Sequence, residues 1–501
     1  MASSATPSGY TAQGGWASAP LVPTRAGYSA APSPALSPGR ILLRALAIVA
    51  LLLVNKFGDG GAAVFFLVLF ALSFRSPEAA FLSFVIGMLG LSTNVAIVPK
   101  TITWTPLRLI LPFVALFRFS FDLSHQRKSL FTDMWYLAMC LFVGVAALCS
   151  VAGGYYVPIS LLKLVSFTIG MSAVFAGVKV LQSRRYDLGE WLLAIPLVIV
   201  INGFLAIAMG SAYRVPLPGE FVAVGSSFFK GPFYHSQIAG PYCALAAVLV
   251  FCYWLTVVRR RTWVAIAIAL PLLYFVWLTR SRTGLVSLVF GVSVAFLCAG
   301  VAPRLQAWRR TLGRRRTRAI IVGLVLVCLV AAADLATGRV SRAVREFVLK
   351  YNTSAQVMDF EDVIRSRTGI IAQQWSTFLR HPLTGIGFQV ADTEYFRRNA
   401  TLFTAPVEKG FLPTGLLEEV GVLGASIFTL FIGLLCLSLL SSRNGPGLAM
   451  LLTYLVTNLG EMTVFSFGGS GGLGWLFVAS GILIGDRSNA VVRTIVREGG
   501  R

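Results

Sequence analysis

The chain has 501 residues, 56% of them hydrophobic and only 13% charged, with a mean hydropathy of +0.76. This composition excludes an ordinary soluble globular protein, because many apolar runs reach the roughly 17–25 residues that cross a hydrocarbon core. The net charge of +23 would suggest nucleic acid in a soluble protein, but the basic clusters sit between apolar runs and lack interleaved aromatics, so they read as topology signals and no nucleic-acid partner is expected.

The runs show no period-2 alternation, so they are expected to be helices rather than barrel strands. Residues 1–39, rich in Ala, Ser, Pro and Gly, lack the apolar core of a signal peptide and read as a disordered cytoplasmic tail. An N-terminal transmembrane bundle is expected over 40–334, with apolar runs at 41–54, 62–74, 79–98, 104–118, 135–152, 158–181, 190–211, 237–257, 262–279, 285–301 and 319–334. The stretch 335–411 cannot lie in a bilayer and reads as one large, partly helical loop. Runs at 413–439, 447–464 and 471–485 form C-terminal transmembrane helices over 412–486, followed by a basic tail, 487–501. The expected fold is therefore all-α and polytopic, with about 12–14 spans.

Arg259-Arg-Arg261, the Arg304–Arg318 run, Arg184, Arg185, Arg127, Lys128 and the tail fall on one side if the spans alternate. The positive-inside rule makes that side cytoplasmic, with both termini there, and turns 335–411 outward. All seven cysteines lie in apolar runs, where they read as small buried hydrophobes, and no Cys/His group has zinc spacing. Neither metal nor cofactor is expected. Asp359-Phe-Glu-Asp362 is the nearest thing to an acidic metal motif, and acids at a helix start ordinarily complement the dipole.

The outward segments are nevertheless basic, which orientation does not explain. Arg214 and Lys230 lie in one, Arg280 and Arg282 in the short Thr279-Arg-Ser-Arg282-Thr-Gly284 link between two apolar runs, and Arg365, Arg367 and Lys409 in the long loop. Read as a helix over 359–380, the loop puts Ile364, Ile371, Trp375 and Phe378 on one buried face. Arg367 falls inside that sector and Arg365 at its edge. An arginine on a buried face needs an anionic partner, either a carboxylate or a ligand. Several guanidinium forks at headgroup depth suit phosphate oxygens, so a phosphorylated or diphosphorylated lipid is the expected ligand class, with anchoring to ordinary anionic membrane lipid as the alternative.

Taken together and in order, these segments resemble the O-antigen ligase/polymerase superfamily. The resemblance rests on Arg214 followed by Gly231-Pro-Phe-Tyr-His-Ser-Gln-Ile-Ala-Gly240, and on the Thr279–Gly284 turn. It continues through Arg367 and Trp375 ahead of His381-Pro-Leu-Thr-Gly-Ile-Gly387, and ends on Leu416-Leu-Glu-Glu-Val-Gly-Val-Leu-Gly424. It covers about residues 200–440. One departure is clear. Family members often carry a His-Asn pair upstream of the last glutamate, whereas Lys409 and Gly410 stand at those positions here.

The resemblance implies a membrane glycosyltransferase facing the periplasm from the bacterial inner membrane. Its donor would be an undecaprenyl-diphosphate-linked glycan, and its acceptor either another lipid-linked repeat (a polysaccharide polymerase) or a lipid A core sugar (an O-antigen ligase). Chain-length or export proteins are implied partners. Arg214, Arg282 and Arg367 would hold the diphosphate, supported by Arg280, Arg365 and Lys409. With the histidine absent, Glu408 is the first choice of general base, followed by Glu419 and His235, and Lys409 either assists the diphosphate or pairs with Glu408. No metal is implied, and the missing histidine favours polymerase over ligase. The competing class is a carrier or flippase for a lipid-linked glycan, which would place its charges near the midplane of its spans.

Overall fold

The computed structural model describes residues 37–55, 57–93, 104–184, 188–214, 228–233, 236–256, 262–298, 360–401, 409–467 and 469–499. In chain order the elements are α1 (Pro38–Val54), α2 (Gly58–Arg75), α3 (Pro77–Ser92), α4 (Trp104–His125), α5 (Met134–Gly153), α6 (Val157–Arg184) and α7 (Gly189–Ala208). The two-residue strands β1 (Tyr213–Arg214) and β2 (Phe228–Phe229) follow, then α8 (Ser236–Thr256), α9 (Thr262–Leu278) and α10 (Arg282–Cys298). The last described elements are α11 (Phe360–Arg380), the short α12 (Glu394–Asn399), α13 (Leu412–Ser441), α14 (Gly445–Thr457) and α15 (Ser470–Gly499).

Backbone groups in lipid must be paired internally, so apolar runs become helices. Among the described residues, 6 helices are long and apolar enough to cross a membrane: Gly58–Arg75, Met134–Gly153, Val157–Gln182, Gly189–Ala208, Gln237–Thr256 and Leu412–Ser441. Pro77–Ser92, Thr262–Leu278, Arg282–Cys298, Gly445–Thr457 and Ser470–Asp486 are shorter apolar helices. The chain is thus a polytopic, multi-pass α-helical membrane protein. Prolines sit inside α4, α7, α8 and α9 (Pro112, Pro196, Pro241 and Pro271), which neighbouring helices tolerate by re-pairing freed groups. Exposed Trp263 near the start of α9, and Tyr274 and Trp277 near its end, have the distribution of interfacial aromatics.

The helices pack as one bundle. α13 lies along α5, α10 lies between α8 and α14, α15 packs on α14, α8 and α6, and α4 packs on α6 and α3. Close approach is made by glycines. A Cβ on Gly284 would lie 2.7 Å from the Gly240 carbonyl carbon, locking the starts of α8 and α10 together. At one end of the bundle, Arg40 and Arg44 both pair with the buried Glu190, Lys179 pairs with Asp133, and Asn444 donates to Asp486. The opposite end gathers the turns at 153–157, 209–214, 279–282, 381–393 and 458–467.

α13 is where the fold departs most from a plain bundle. Its path breaks at Gly421, which has φ +61° and ψ −168°. The segment Pro382–Gly387 lies across the break. Ile386 and Gly387 N–H donate to the carbonyls of Glu418 and Glu419, each at 2.9 Å, and Val422 N–H donates back to the Pro382 carbonyl at 2.9 Å. From Val422 to Ser441 the helix is about 30 Å long, one hydrocarbon thickness, so the break falls at the membrane boundary. Phe388 then plugs into a buried aromatic group, with the rings of Phe142 of α5, Phe167 of α6 and Phe465 centred 5.0–6.2 Å from its own and Phe428 of α13 behind them. No ring pair joins Phe388 directly to Phe428; Phe142 and Phe465 link them at 5.3 and 5.0 Å.

Two expectations need correction. The run at 447–464 was expected to be one helix, but α14 stops at Thr457 and 458–467 folds as turns. Asn458 causes this, because its Oδ1 accepts from the N–H groups of Thr463 and Val464 at 2.6 and 2.8 Å, competing with helix continuation. Trp375 was expected on the buried face of α11, yet it is exposed, and Gln374, Thr377 and Phe378 are the buried residues there. The run at 319–334 and the tail at 1–36 lie outside the described residues.

A Cβ on Gly421 would lie 2.2 Å from the Leu383 carbonyl oxygen, in a backbone conformation that L side chains rarely adopt. Gly421→Ala should therefore destabilise the protein by at least about 3 kcal/mol. The check is its thermal unfolding in detergent, compared with Gly433→Ala, where nothing lies within 4 Å of the added Cβ.

Candidate functional site

The turns at that end of the bundle carry the sequence motifs. Gly460 packs on Thr283 so closely that a Cβ would lie 1.9 Å from Thr283 Oγ1. Just beyond it, Met462 N–H donates to the Lys409 carbonyl at 2.8 Å. Leu412 N–H, opening α13, donates to the Asn458 carbonyl at 3.0 Å. The turn 458–464 thus ties the Arg282 turn to Lys409 and the start of α13. The β1–β2 pair lies alongside: Phe229 stacks near Phe275 of α9 at 5.3 Å, and Phe233 bridges to Thr93 after α3. Tyr242 Oη donates to the Ser470 carbonyl, joining α8 to the start of α15.

Four charged side chains converge on the break in α13. Lys409, 3% exposed, hydrogen-bonds the Glu418 carboxylate and lies 3.7 Å from Glu419 Oε1. Glu419 is 1% exposed, and its Oε2 has no hydrogen-bond partner among the described residues. Lys163, from α6, donates to the Gln389 carbonyl at 2.7 Å and acts electrostatically on both Glu419 and Lys409. Gln389 is held at φ +53°, an uncommon backbone state that directs its carbonyl to that ammonium. Two lysines balance two glutamates, which is what a buried charge cluster requires. Beside it, Thr414 Oγ1 donates to Gln374 Oε1 of α11, and Gly415 leaves room for Gln374 Nε2, the Lys409 chain and Met462 Sδ.

The loop that closes the break is held from outside as well. His381 Nε2 and Tyr155 Oη are 2.9 Å apart, Tyr155 N–H donates to the Ile386 carbonyl at 3.0 Å, and Phe388 N–H donates to Ser150 Oγ at 3.0 Å. Asp392 pairs with Arg397 and, at 3.2 Å, with Arg380. Burial pushes the Asp392 carboxyl up, but its hydrogen bonds to and charge attraction from Arg397 and Arg380 outweigh this and hold it below its ordinary value.

The expected site residues fall into two groups. Lys409 and Glu419 lie together in the buried cluster, and Arg282 opens α10, half-buried, on the far side of the 458–464 turn. Arg280 is exposed at φ +49°. The backbones of Arg214, in β1, and of Arg365 and Arg367, in α11, are placed, but their side chains lie outside the described residues, as do Glu408 and His235 entirely. Sequence reasoning overlooked Glu418, Lys163 and Gln374. The signal for Glu418 was present, since it neighbours Glu419 at the same helix entrance. Lys163 sits in an apolar run with no motif around it.

What the arrangement offers chemically is a buried carboxylate with one oxygen uncommitted, next to an ammonium shared with a second carboxylate. Lys409→Ala should leave Glu418 buried without its counter-charge and cost about 3–5 kcal/mol. Lys409→Met combined with Glu418→Leu should cost less than Lys409→Ala alone, a difference readable from detergent unfolding of the two variants and the wild type.

Because the Asp392 carboxyl is lowered in the folded protein, its contribution is present above the unfolded value and is lost as pH falls through the lower folded one. Hydrogen exchange over 380–397 should therefore quicken only below the ordinary carboxylate value, and Asp392→Asn should show fast exchange even at neutral pH.

No protein-family model matches the chain, and no curated protein sequence matches it either.

Proposed function

We propose that this protein is a glycosyltransferase of the O-antigen ligase/polymerase type. In this reading it lies in the bacterial inner membrane with both termini cytoplasmic, and it polymerises lipid-linked repeat units of a surface polysaccharide on the periplasmic side. The observation that carries the reading is convergence. The Arg282 turn, the His381–Gly387 segment and the Glu418–Glu419 entrance, separated in sequence, meet at one end of the bundle, opposite the end where Arg40, Arg44 and Lys179 are neutralised.

In the proposed reaction an acceptor hydroxyl attacks the anomeric carbon of the donor glycan. The anomeric C–O bond to undecaprenyl diphosphate breaks, and the hydroxyl proton passes to a carboxylate. Glu419, buried and with a free oxygen, suits that base role; Glu408 and His235 remain the other candidates. The leaving diphosphate carries the developing negative charge, which Arg282, Arg214 and Arg367 would stabilise, with Arg280 and Arg365 adding positive potential. Lys409 is engaged by Glu418, so in this scheme it sets the charge balance around Glu419. The phosphodiester linkage is already activated, so neither a nucleotide nor a metal enters the scheme.

Arg282→Ala, Arg214→Ala and Arg367→Ala should each lower polymer formation by about 10²–10³-fold, with membrane levels of the protein unchanged. Purified protein given lipid-linked repeats in detergent provides the measurement. Chain elongation supports the polymerase, transfer only to added lipid A core identifies a ligase, and absence of any new glycosidic bond with translocation in vesicles identifies a carrier. Normal-length polymer from all three variants would overturn the site.

A further inference from the structure

The helix α11 has three distinct faces. At 100° per residue, Gln374, Thr377 and Phe378 share a sector of about 100°, and all three are buried. Gln373, Ser376 and Arg380 occupy a second, polar sector; Gln373 donates to the Asp392 carbonyl and Arg380 pairs with the Asp392 carboxylate. The third sector holds Trp375 and Leu379, spaced i, i+4 and about 40° apart. They are 46% and 61% exposed.

This apolar face does not stand alone. Leu383, 63% exposed, follows α11 directly, and its carbonyl accepts from Leu423 N–H at 3.4 Å. Val422 and Leu423 are exposed at the start of the spanning part of α13, and Leu430, Leu437 and Leu440 continue the exposed apolar stripe down that helix. A stripe of exposed leucines along a helix long enough to cross the membrane is its lipid-facing side. Leu383 meets this stripe through its contact with Leu423 beside the break at Gly421, and Leu379 and Trp375, on α11, precede it by four and eight residues. Arg397 and Arg398 of α12 are exposed and pair with Asp392 and Glu394, so it is the apolar face of α11 that points to lipid.

We propose that α11 is an interfacial helix, lying on the bilayer with Trp375, Leu379 and Leu383 seated at the boundary between headgroups and acyl chains. The occupant of this face is the membrane itself rather than a protein partner. An amphipathic helix with a tryptophan at that depth has the composition of such an element. The consequence is local geometry: one side of α11 touches lipid while its opposite side, through Gln374, touches the Lys409–Glu418–Glu419 cluster. A single helix thickness then separates bilayer from cluster. The proposal goes beyond the catalytic reading and does not depend on it, since any membrane protein with this stripe would dock the helix in the same way.

The test places the photo-cross-linker p-benzoylphenylalanine at Leu379, at Gln373 and at Leu430, one position at a time in the full chain. The proteins are reconstituted in nanodiscs of phosphatidylethanolamine and phosphatidylglycerol, irradiated, and analysed by mass spectrometry for lipid adducts. Adducts at Leu379 comparable with those at Leu430, and at least fivefold above Gln373, are the expected result. Adducts at Leu379 no higher than at Gln373, or cross-links from Leu379 to a second copy of the chain in place of lipid, would overturn the proposal. An independent readout is quenching of tryptophan fluorescence by acyl-brominated lipids. Trp375→Phe should remove a quenchable component, whereas an unchanged quenched fraction would count against interfacial seating.

Discussion

Everything at the end of this molecule that gathers the sequence motifs depends on how one helix is interrupted. A break in an α-helix orphans carbonyls on one side and amides on the other, and at a membrane boundary those groups are costly to leave unpaired. Here the carbonyls of Glu418 and Glu419 and the amide of Val422 are paired by the backbone of Pro382–Gly387. The loop is consequently a structural component of α13. Its attachment fixes where Glu418 and Glu419 sit, and those two carboxylates in turn draw Lys409 and Lys163 into the same volume.

The glycines in this region follow from that geometry. Gly385 has φ +65°, and a Cβ there would lie 2.5 Å from the Glu419 carbonyl oxygen; Gly387 has φ +118°. At Gly385 backbone meets backbone, while at Gly387 the Ser160 hydroxyl would lie 2.7 Å from an added Cβ; neither point leaves space for a side chain. Phe388 supplies the complementary anchor. Burying a phenylalanine contributes roughly 1.5–3 kcal/mol, and aromatic neighbours at 5.0–6.2 Å add directional contact. Hydrogen bonds set the register of the loop, while Phe388 supplies much of the energy that keeps it docked.

The sequence made the bundle legible because lipid imposes one simple requirement: an apolar run of sufficient length becomes a helix. Element limits such as Met134–Gly153 and Thr262–Leu278 track the apolar runs closely. It was much less informative where two solvents compete. Hydrophobicity alone does not distinguish a residue facing the protein from one facing lipid, and Trp375 was assigned to the wrong side for that reason, while the polar Gln374 and Thr377 turned out to be the buried ones. The break at Gly421 was equally hidden, because glycine is ordinary inside membrane helices and only the docked loop makes it a break. The end of α14 at Thr457 was masked by Leu459, Met462, Val464 and Phe465, which continue the apolar composition through a turn organised by Asn458. The pairing of Lys409 shows a third limit. The sequence offered it either the diphosphate or its neighbour Glu408, but the chain turns into α13 and brings Glu418 to it.

The buried charges also constrain what the site can be. A pair such as Lys409–Glu418 is poor at stabilising a fold, since desolvation offsets most of its attraction, and an apolar replacement of the same shape would often serve as well. Glu419 sharpens the point: it is as buried as Glu418, it shares the same ammonium at 3.7 Å, and its Oε2 accepts no hydrogen bond from the described residues. A carboxylate held in that state gains its counter-charge from two lysines on different elements, one in α6 and one ahead of α13. Its position is fixed by a helix break and its charge by neighbours, so a change in either would alter its affinity for a proton. That dependence is the physical reason to regard the Glu419 carboxylate as sensitive both to the helix break and to the two lysines beside it.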